Sequence, residues 1–311
     1  MKYNGKVKKC LGKEGGCVHS YLRAVGFSNV KRRADLDKIL GRIMDKPDEK
    51  QMNKVNETTT LTEMKLDFAP GMGVAIRGEY DEKGFFHLDH YFPYYKGSRV
   101  SIKEDVCINK RVDTEAYTGM CDDVRLGVSL IFYLQNGMEC IRQNRIVSRV
   151  GKYMEISLSA LSVQGKVLLG MELSEKKQRI RAAEAKMRRQ LIAEAKMGNQ
   201  EAIDSLTIDD IDMYAAISRR AKTEDIYSIV ESSFIPYGSE SDNYTIIGTI
   251  LDTKLLTNEM SGEQVYVLSV ECNDIVYDVC INKVDLLGEP MPGRRFKGNI
   301  WMQGYANTPR W

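Results

Sequence analysis

The amino-acid sequence predicts a mixed α+β protein: an N-terminal antiparallel sheet with helices over 17–172, a helical connector over 173–238, and a small C-terminal β-barrel, OB-like, over 239–311. Three observations predict it. Apolar residues recur at helical spacing before Pro47 and alternate at strand spacing from Gly73 onward. Residues 174–197 are dense in Ala, Glu, Lys, Arg and Met, with Glu175/Arg179 and Glu184/Arg188 in the favourable i,i+4 order. After Asp242 every periodic segment reads as strand.

Taken in order, residues 1–16 are rich in Lys and Gly without periodicity and are expected to be a disordered leader. Tyr21, Leu22, Val25 and Phe27 suggest a short helix ended by Gly26, after which Ser28 is expected to cap a second helix with the stripe Leu36, Ile39, Leu40 and Ile43. Pro47 ends it, and polar residues 46–60 read as a loop. Val74–Tyr80 and Phe85–Tyr91 flank Asp81-Glu82-Lys83-Gly84 as a hairpin. Further strands are expected at Leu126–Leu134, Tyr153–Leu158 and Lys166–Leu169, with Asn136-Gly137 and Gln164-Gly165 as turns.

Within the connector, Gly198-Asn199 stops one helix, Thr207 with Asp210 resembles a capping box for the next, and Thr223 caps a third. Tyr244–Leu256, Gln264–Cys272, Ile275–Ile281 and Arg294–Tyr305 then supply the strands of the barrel, the first apt to bend at Gly248, and a plain antiparallel meander is the rival arrangement. The hexapeptide Asp105-Val106-Cys107-Ile108-Asn109-Lys110 recurs as Asp278-Val279-Cys280-Ile281-Asn282-Lys283 and raises the question of an internal repeat.

Composition narrows the class of function. A chain of 311 residues that is 43% apolar can bury a full core, and a net charge of +2 supplies no bulk attraction to nucleic acid or membrane. Seven widely spaced cysteines without a CxxC pair argue against a disulfide framework or zinc ribbon and suit a reducing compartment. The basic N-terminus has no apolar h-region behind it, and no apolar run approaches the length of a membrane span. A soluble, cytoplasmic protein is expected.

The strings Tyr91-Phe92-Pro93-Tyr94, Asp122–Asn136, Ser205-Leu206-Thr207, Gly288-Glu289-Pro290, Gly293–Gly298 and Trp301-Met302-Gln303-Gly304 together resemble an uncharacterised family of clostridial, Gram-positive anaerobes, over about residues 19–305. The resemblance implies a bacterial cytoplasmic protein. It implies no activity, cofactor or catalytic residue.

Candidate chemistry is sparse. His87 and His90 could ligate a metal, but three residues apart on a strand they point to opposite faces unless a bulge intervenes. Cys10, Cys17 and His19 lack an evident fourth ligand. Cys121, beside Asp122 and Asp123, sits where like charge disfavours its thiolate. Pro70-Gly71-Met72-Gly73 precedes a strand and lacks the helix N-terminus that would hold a phosphate, while Asp209 and Asp210 read as first-turn helix carboxylates. No catalytic residue, metal or cofactor is assigned.

The C-terminal strand carries the candidate binding residues. Strict alternation places Arg295, Lys297, Trp301 and Tyr305 on one face and Phe296, Ile300 and Met302 on the other, unless Gly298 marks a bulge that sends Trp301 into the core. The leading expectation is a non-enzymatic binding or adaptor protein acting through the barrel, with a protein partner or self-association through the seam Ile180, Ala183, Met187 and Leu191. The alternatives are single-stranded nucleic acid held by cations and stacking rings along 294–305, and an enzyme whose site gathers residues distant in sequence.

Overall fold

The computed structural model describes residues 18–54, 60–112, 114–123, 126, 128–142, 152–170, 183, 186–188, 190, 191, 193–195, 197–220, 222, 226–238 and 242–307. The expected leader, Cys10, Cys17, Ile180 and the Thr223 cap lie outside the described residues.

Among the described residues, two sheets and a few helices make up the fold. A short 3-10 helix, Ser20–Val25, ends at Gly26 in the left-handed region (φ 87°), where glycine is at little cost. α1 (Arg33–Asp45) buries Leu36, Ile39, Leu40 and Ile43, the stripe expected of it. Its N-cap is Arg32 rather than Ser28. Ser28 instead donates its backbone N–H and hydroxyl to Glu263, at 3.0 and 2.9 Å.

The first sheet is antiparallel in the order β1 (Glu49–Lys54), β2 (Thr60–Ala69), β3 (Met72–Tyr80), β4 (Phe86–Tyr95). β1 lies where a loop was expected, and pairs residue for residue with β2. β3 is buried at seven successive positions, Met72–Gly78, which covers both of its faces. Such a strand reads as an apolar run, not an alternation.

The second sheet closes on itself twice. β10 (Asn243–Thr257), β11 (Gln264–Cys272) and β12 (Ile275–Asn282) form an antiparallel meander. β12 then runs parallel to β8 (Lys152–Leu168), β8 antiparallel to β14 (Arg295–Asn307), and β14 antiparallel to β10. β5 (Ile102–Lys110), β6 (Tyr117–Asp123) and β7 (Val128–Leu134) form a second meander. β7 runs parallel to β14, and β8 pairs antiparallel with β5. The two circuits of five strands therefore share the β8–β14 pair and have the same sequence of strand senses. β9 (Ser233–Pro236) adds to β10, and β13 (Leu286–Leu287) to β8.

The strands after residue 242 thus form an open run, β12-β11-β10-β14, and β8, which precedes the connector, closes it into a circuit. The repeated hexapeptide does not mark the likeness of the two circuits. Asp105–Lys110 lies in the first strand of one meander, and Asp278–Lys283 in and just after the third strand of the other.

β8 was expected as two strands broken at Gln164-Gly165. It is one strand of 17 residues. Gly165 is there for contact: a Cβ on it would lie 2.4 Å from Cε2 of Phe296. The register of β8 against β14 slips between Asn299 and Ile300, with Val163 the extra residue on β8, so the alternation of β14 continues unbroken.

Helices complete the fold. α2 (Gly137–Arg142) follows Asn136, whose side chain donates to the carbonyl of Ala306 (2.9 Å) and accepts from its N–H (3.0 Å). α3 (Gln200–Arg220) begins at Asn199, whose Oδ1 accepts from the N–H groups of Glu201 and Ala202. Thr207, expected to cap, lies inside that helix and donates to the carbonyl of Ile203 at 2.8 Å. α4 (Ile226–Ile229) is a single turn.

One apolar cluster fills the two circuits, including Phe132, Ile156, Tyr277, Phe296, Ile300 and Met302. A second lies between the 3-10 helix, α1, the first sheet and the outer face of the second sheet, and takes in Phe68, Ile76, Phe92, Tyr133, Leu161 and Trp301.

Candidate binding groove

β14 presents Lys297 and Asn299 on the face opposite Phe296 and Ile300, as alternation requires. In the β8–β14 register Gln164 stands opposite Asn299 and Lys166 opposite Lys297. Thr245 of β10 adjoins them, and its hydroxyl donates to Oδ1 of Asn299 at 2.7 Å. The connection after β12 runs alongside β8, where β13 pairs with it, and brings Val284, Asp285, Leu286 and Leu287 to the site. Together these residues line an open groove of about 500 Å³.

Tyr227 of α4 forms its outer support. Lys297 donates to the Tyr227 hydroxyl, and the ammonium groups of Lys297 and Lys166 lie 4.4 and 4.8 Å from the centre of its ring. Arg295 positions that turn. Its guanidinium is buried and donates to the carbonyls of Tyr227 (2.6 Å), Val230 (2.7 Å) and Leu169 (3.1 Å), joining the C-terminal carbonyls of α4 to the end of β8. Asp285 at the groove wall is held by Arg23, whose Nε donates to it at 2.6 Å, and this contact raises the pKa of Arg23.

The four residues expected to bind do share one face of β14, but that face is not one surface. Lys297 lines the groove and Arg295 braces it. Trp301 is only 5% exposed, its Nε1 donates to Asp242 at 3.0 Å, and it packs on His19, Tyr21 and Tyr133 at centroid distances of 5.1–5.4 Å. It is therefore closed to a stacking base. Tyr305 donates to Glu139 at 3.1 Å beneath Lys96. The expected basic and aromatic track along 294–305 is interrupted in its middle.

The metal candidates come apart. A bulge at Asp89 does separate His87 from His90, and pairs them with Glu79 and Arg77. Their partners differ: exposed His87 contacts Asp81 at 2.8 Å, while His90 bridges Asp89 (2.8 Å) and the Tyr133 hydroxyl (3.1 Å). His19 accepts from the N–H of Tyr21, and burial, with the nearby His90 and Arg111, lowers its pKa to about 4. Among the described residues no group of three His, Cys, Asp or Glu is placed to hold a metal ion.

A second polar cluster ties the two sheets together. Arg77 of β3 pairs with Glu63 and donates to the carbonyls of Glu115 (3.1 Å) and Gln135 (3.0 Å), with Lys65 pairing Glu63 from the other side at 3.1 Å. Burial raises the Glu63 carboxyl, and Arg77 and Lys65 more than reverse this, leaving its pKa below the ordinary value. All three side chains are buried, and the donors of Arg77 are directed at protein acceptors.

Sequence reasoning missed Lys166, Gln164 and Tyr227. The first two were obscured by the turn signal of Gln164-Gly165, and Tyr227 carries no motif in the short segment that follows Thr223.

Among the described residues no helix is long and apolar enough to cross a membrane. No curated protein and no solved structure matches the chain. A family model described as "Domain of unknown function, E. rectale Gene description (DUF3881)" matches residues 22–304. Since that span takes in both sheets, the helices between them and the groove, the chain belongs to this family, a domain of unknown function.

Proposed function

We propose that the protein is a non-enzymatic binding protein, and that its ligand occupies the groove between β8, β10 and β14. In this reading β8, β10, β11, β12 and β14 form an OB-like barrel whose fifth strand, β8, comes before the other four in the chain. Two antiparallel steps, one parallel step and two antiparallel steps around the circuit support it. The observation that carries the functional reading is the open groove of about 500 Å³ on the outer face of that circuit, where side chains from three strands and one connection converge.

The groove chemistry favours holding over converting. Its lining offers ammonium, amide and hydroxyl groups, and its carboxylate, Asp285, is already paired with Arg23. A nucleophile beside a base oriented by a third group is what covalent catalysis needs, and the lining does not bring such a set together.

Native mass spectrometry of the full chain purified from its own cells tests the proposal. A bound species on the wild-type chain, absent from a Thr245→Trp variant that fills the groove and melts normally, is the expected result. A bare chain, or a species retained by that variant, contradicts it.

A further inference from the structure

Two lysines stand directly opposite each other on adjacent antiparallel strands at the floor of the groove. Lys166 of β8 and Lys297 of β14 are Cα partners, both half-buried. Facing side chains in such a pair stand about 5 Å apart at Cβ, and like charges there are destabilising. Among the described residues neither ammonium has a carboxylate within ion-pair distance. Their relief comes from Tyr227, which gives both cations a ring face and gives Lys297 a hydroxyl. Among the described lining residues the one carboxylate, Asp285, is paired with Arg23.

We propose that the groove seats a phosphomonoester, with the phosphate between Lys166 and Lys297. The inference rests on the binding-groove reading and names its ligand class. Two facing ammonium groups supply two positive charges, and a phosphomonoester carries nearly two negative charges at neutral pH, with a second pKa of about 6. A carboxylate or an internal phosphodiester brings one. Lysine also holds phosphate as a point charge, without the planar fork by which arginine pairs carboxylates. Gln164 and Asn299, the next cross-strand pair along, supply amides beside the phosphate. Val284 and Leu287, each 74% exposed on the groove's rim, offer apolar surface to the organic part of the ligand.

The same chemistry has two sources, a free small phosphomonoester and the terminal phosphate of a nucleic-acid strand. Calorimetric titration of the full chain distinguishes them, using inorganic phosphate, a nucleoside 5′-monophosphate, its nucleoside, and a short single-stranded oligonucleotide with and without a 5′-phosphate. The monophosphate binds and the nucleoside does not; binding weakens as pH falls through about 6, where the dianion is protonated. Lys166→Gln and Lys297→Gln each weaken it by about tenfold or more, as loss of a charged hydrogen-bond donor does. A small-molecule source leaves both oligonucleotides unbound, and a strand-end source binds only the phosphorylated one.

Because each substitution removes one of two repelling charges, the ligand-free Lys166→Gln variant melts at or above the wild-type temperature. That readout separates a ligand site from a structural pair. Equal binding of nucleoside and monophosphate, unchanged affinity in both lysine variants, or an early-melting Lys166→Gln chain overturns the inference. If none of the phosphates binds while native mass spectrometry shows another species lost on Thr245→Trp, the groove reading stands and the phosphate inference falls.

Discussion

His19 lies against Trp301 with its imidazole held at a pKa of about 4, against 6.5 for an unperturbed histidine, chiefly by burial. The folded state therefore binds fewer protons than the unfolded one between those values. Stability from this group is fully present above pH 6.5 and is lost as pH falls toward 4 and below, by at most about 3.5 kcal/mol. Urea titrations at successive pH values show a shallower loss across that window in His19→Gln than in wild type. An equal slope in both removes His19 as its source. Arg77 gives a second prediction at this scale. Arg77→Met leaves the Glu63 charge buried with Lys65 alone and is expected to cost up to about 3–5 kcal/mol, and adding Glu63→Leu costs more again, because Lys65 is then buried without a carboxylate; urea unfolding of the two variants checks the order. Neither residue was visible beforehand, since a lone arginine after Val74-Ala75-Ile76 carries no motif. By contrast, the shared face of Phe296, Ile300 and Met302 followed from alternation.

At the scale of elements, local signals were sound where they described contact and unsound where they described punctuation. The stripe of α1 and the four segments from Tyr244 to Tyr305 were legible because apolar spacing reports a buried face directly. Gln164-Gly165 and Thr207 misled, because a glycine that admits a neighbouring ring and a threonine that bonds back within a helix look in sequence like a turn and a cap. β1 was hidden by its polar composition, Glu49-Lys50-Gln51-Met52-Asn53-Lys54, which suits a strand at the edge of a sheet. Thermal melts separate the two capping readings. Asn199→Ala destabilises α3 by about 1 kcal/mol, and Thr207→Ala leaves stability within about 0.5 kcal/mol of wild type. Gly165→Val drives a side chain into Phe296 and lowers stability by about 1–3 kcal/mol through overpacking.

For the whole molecule, the sequence carried the class, a mixed α+β chain with its last strands in sequential meander, and did not carry closure. Nothing in Ile275–Asn282 or Arg295–Asn307 names β8 as the neighbour of β12 and β14, because long-range pairing is set by the fit of whole faces rather than by local spacing. The candidate site followed the same division. Arg295 and Lys297 were legible on β14, but their partners came from β8 and α4. The covering of Trp301 came from the 3-10 helix and from β7. The groove exists only where β8 and β14 lie side by side, so the central claim is that β8 completes the C-terminal circuit. The most direct measurement is the amide ¹H–¹⁵N spectrum of a fragment comprising residues 239–311, recorded alone and with a peptide comprising residues 152–170. The account predicts a collapsed, poorly dispersed spectrum for the fragment alone and recovered dispersion on adding the peptide; a well-dispersed spectrum from the fragment alone, unchanged by the peptide, would contradict it.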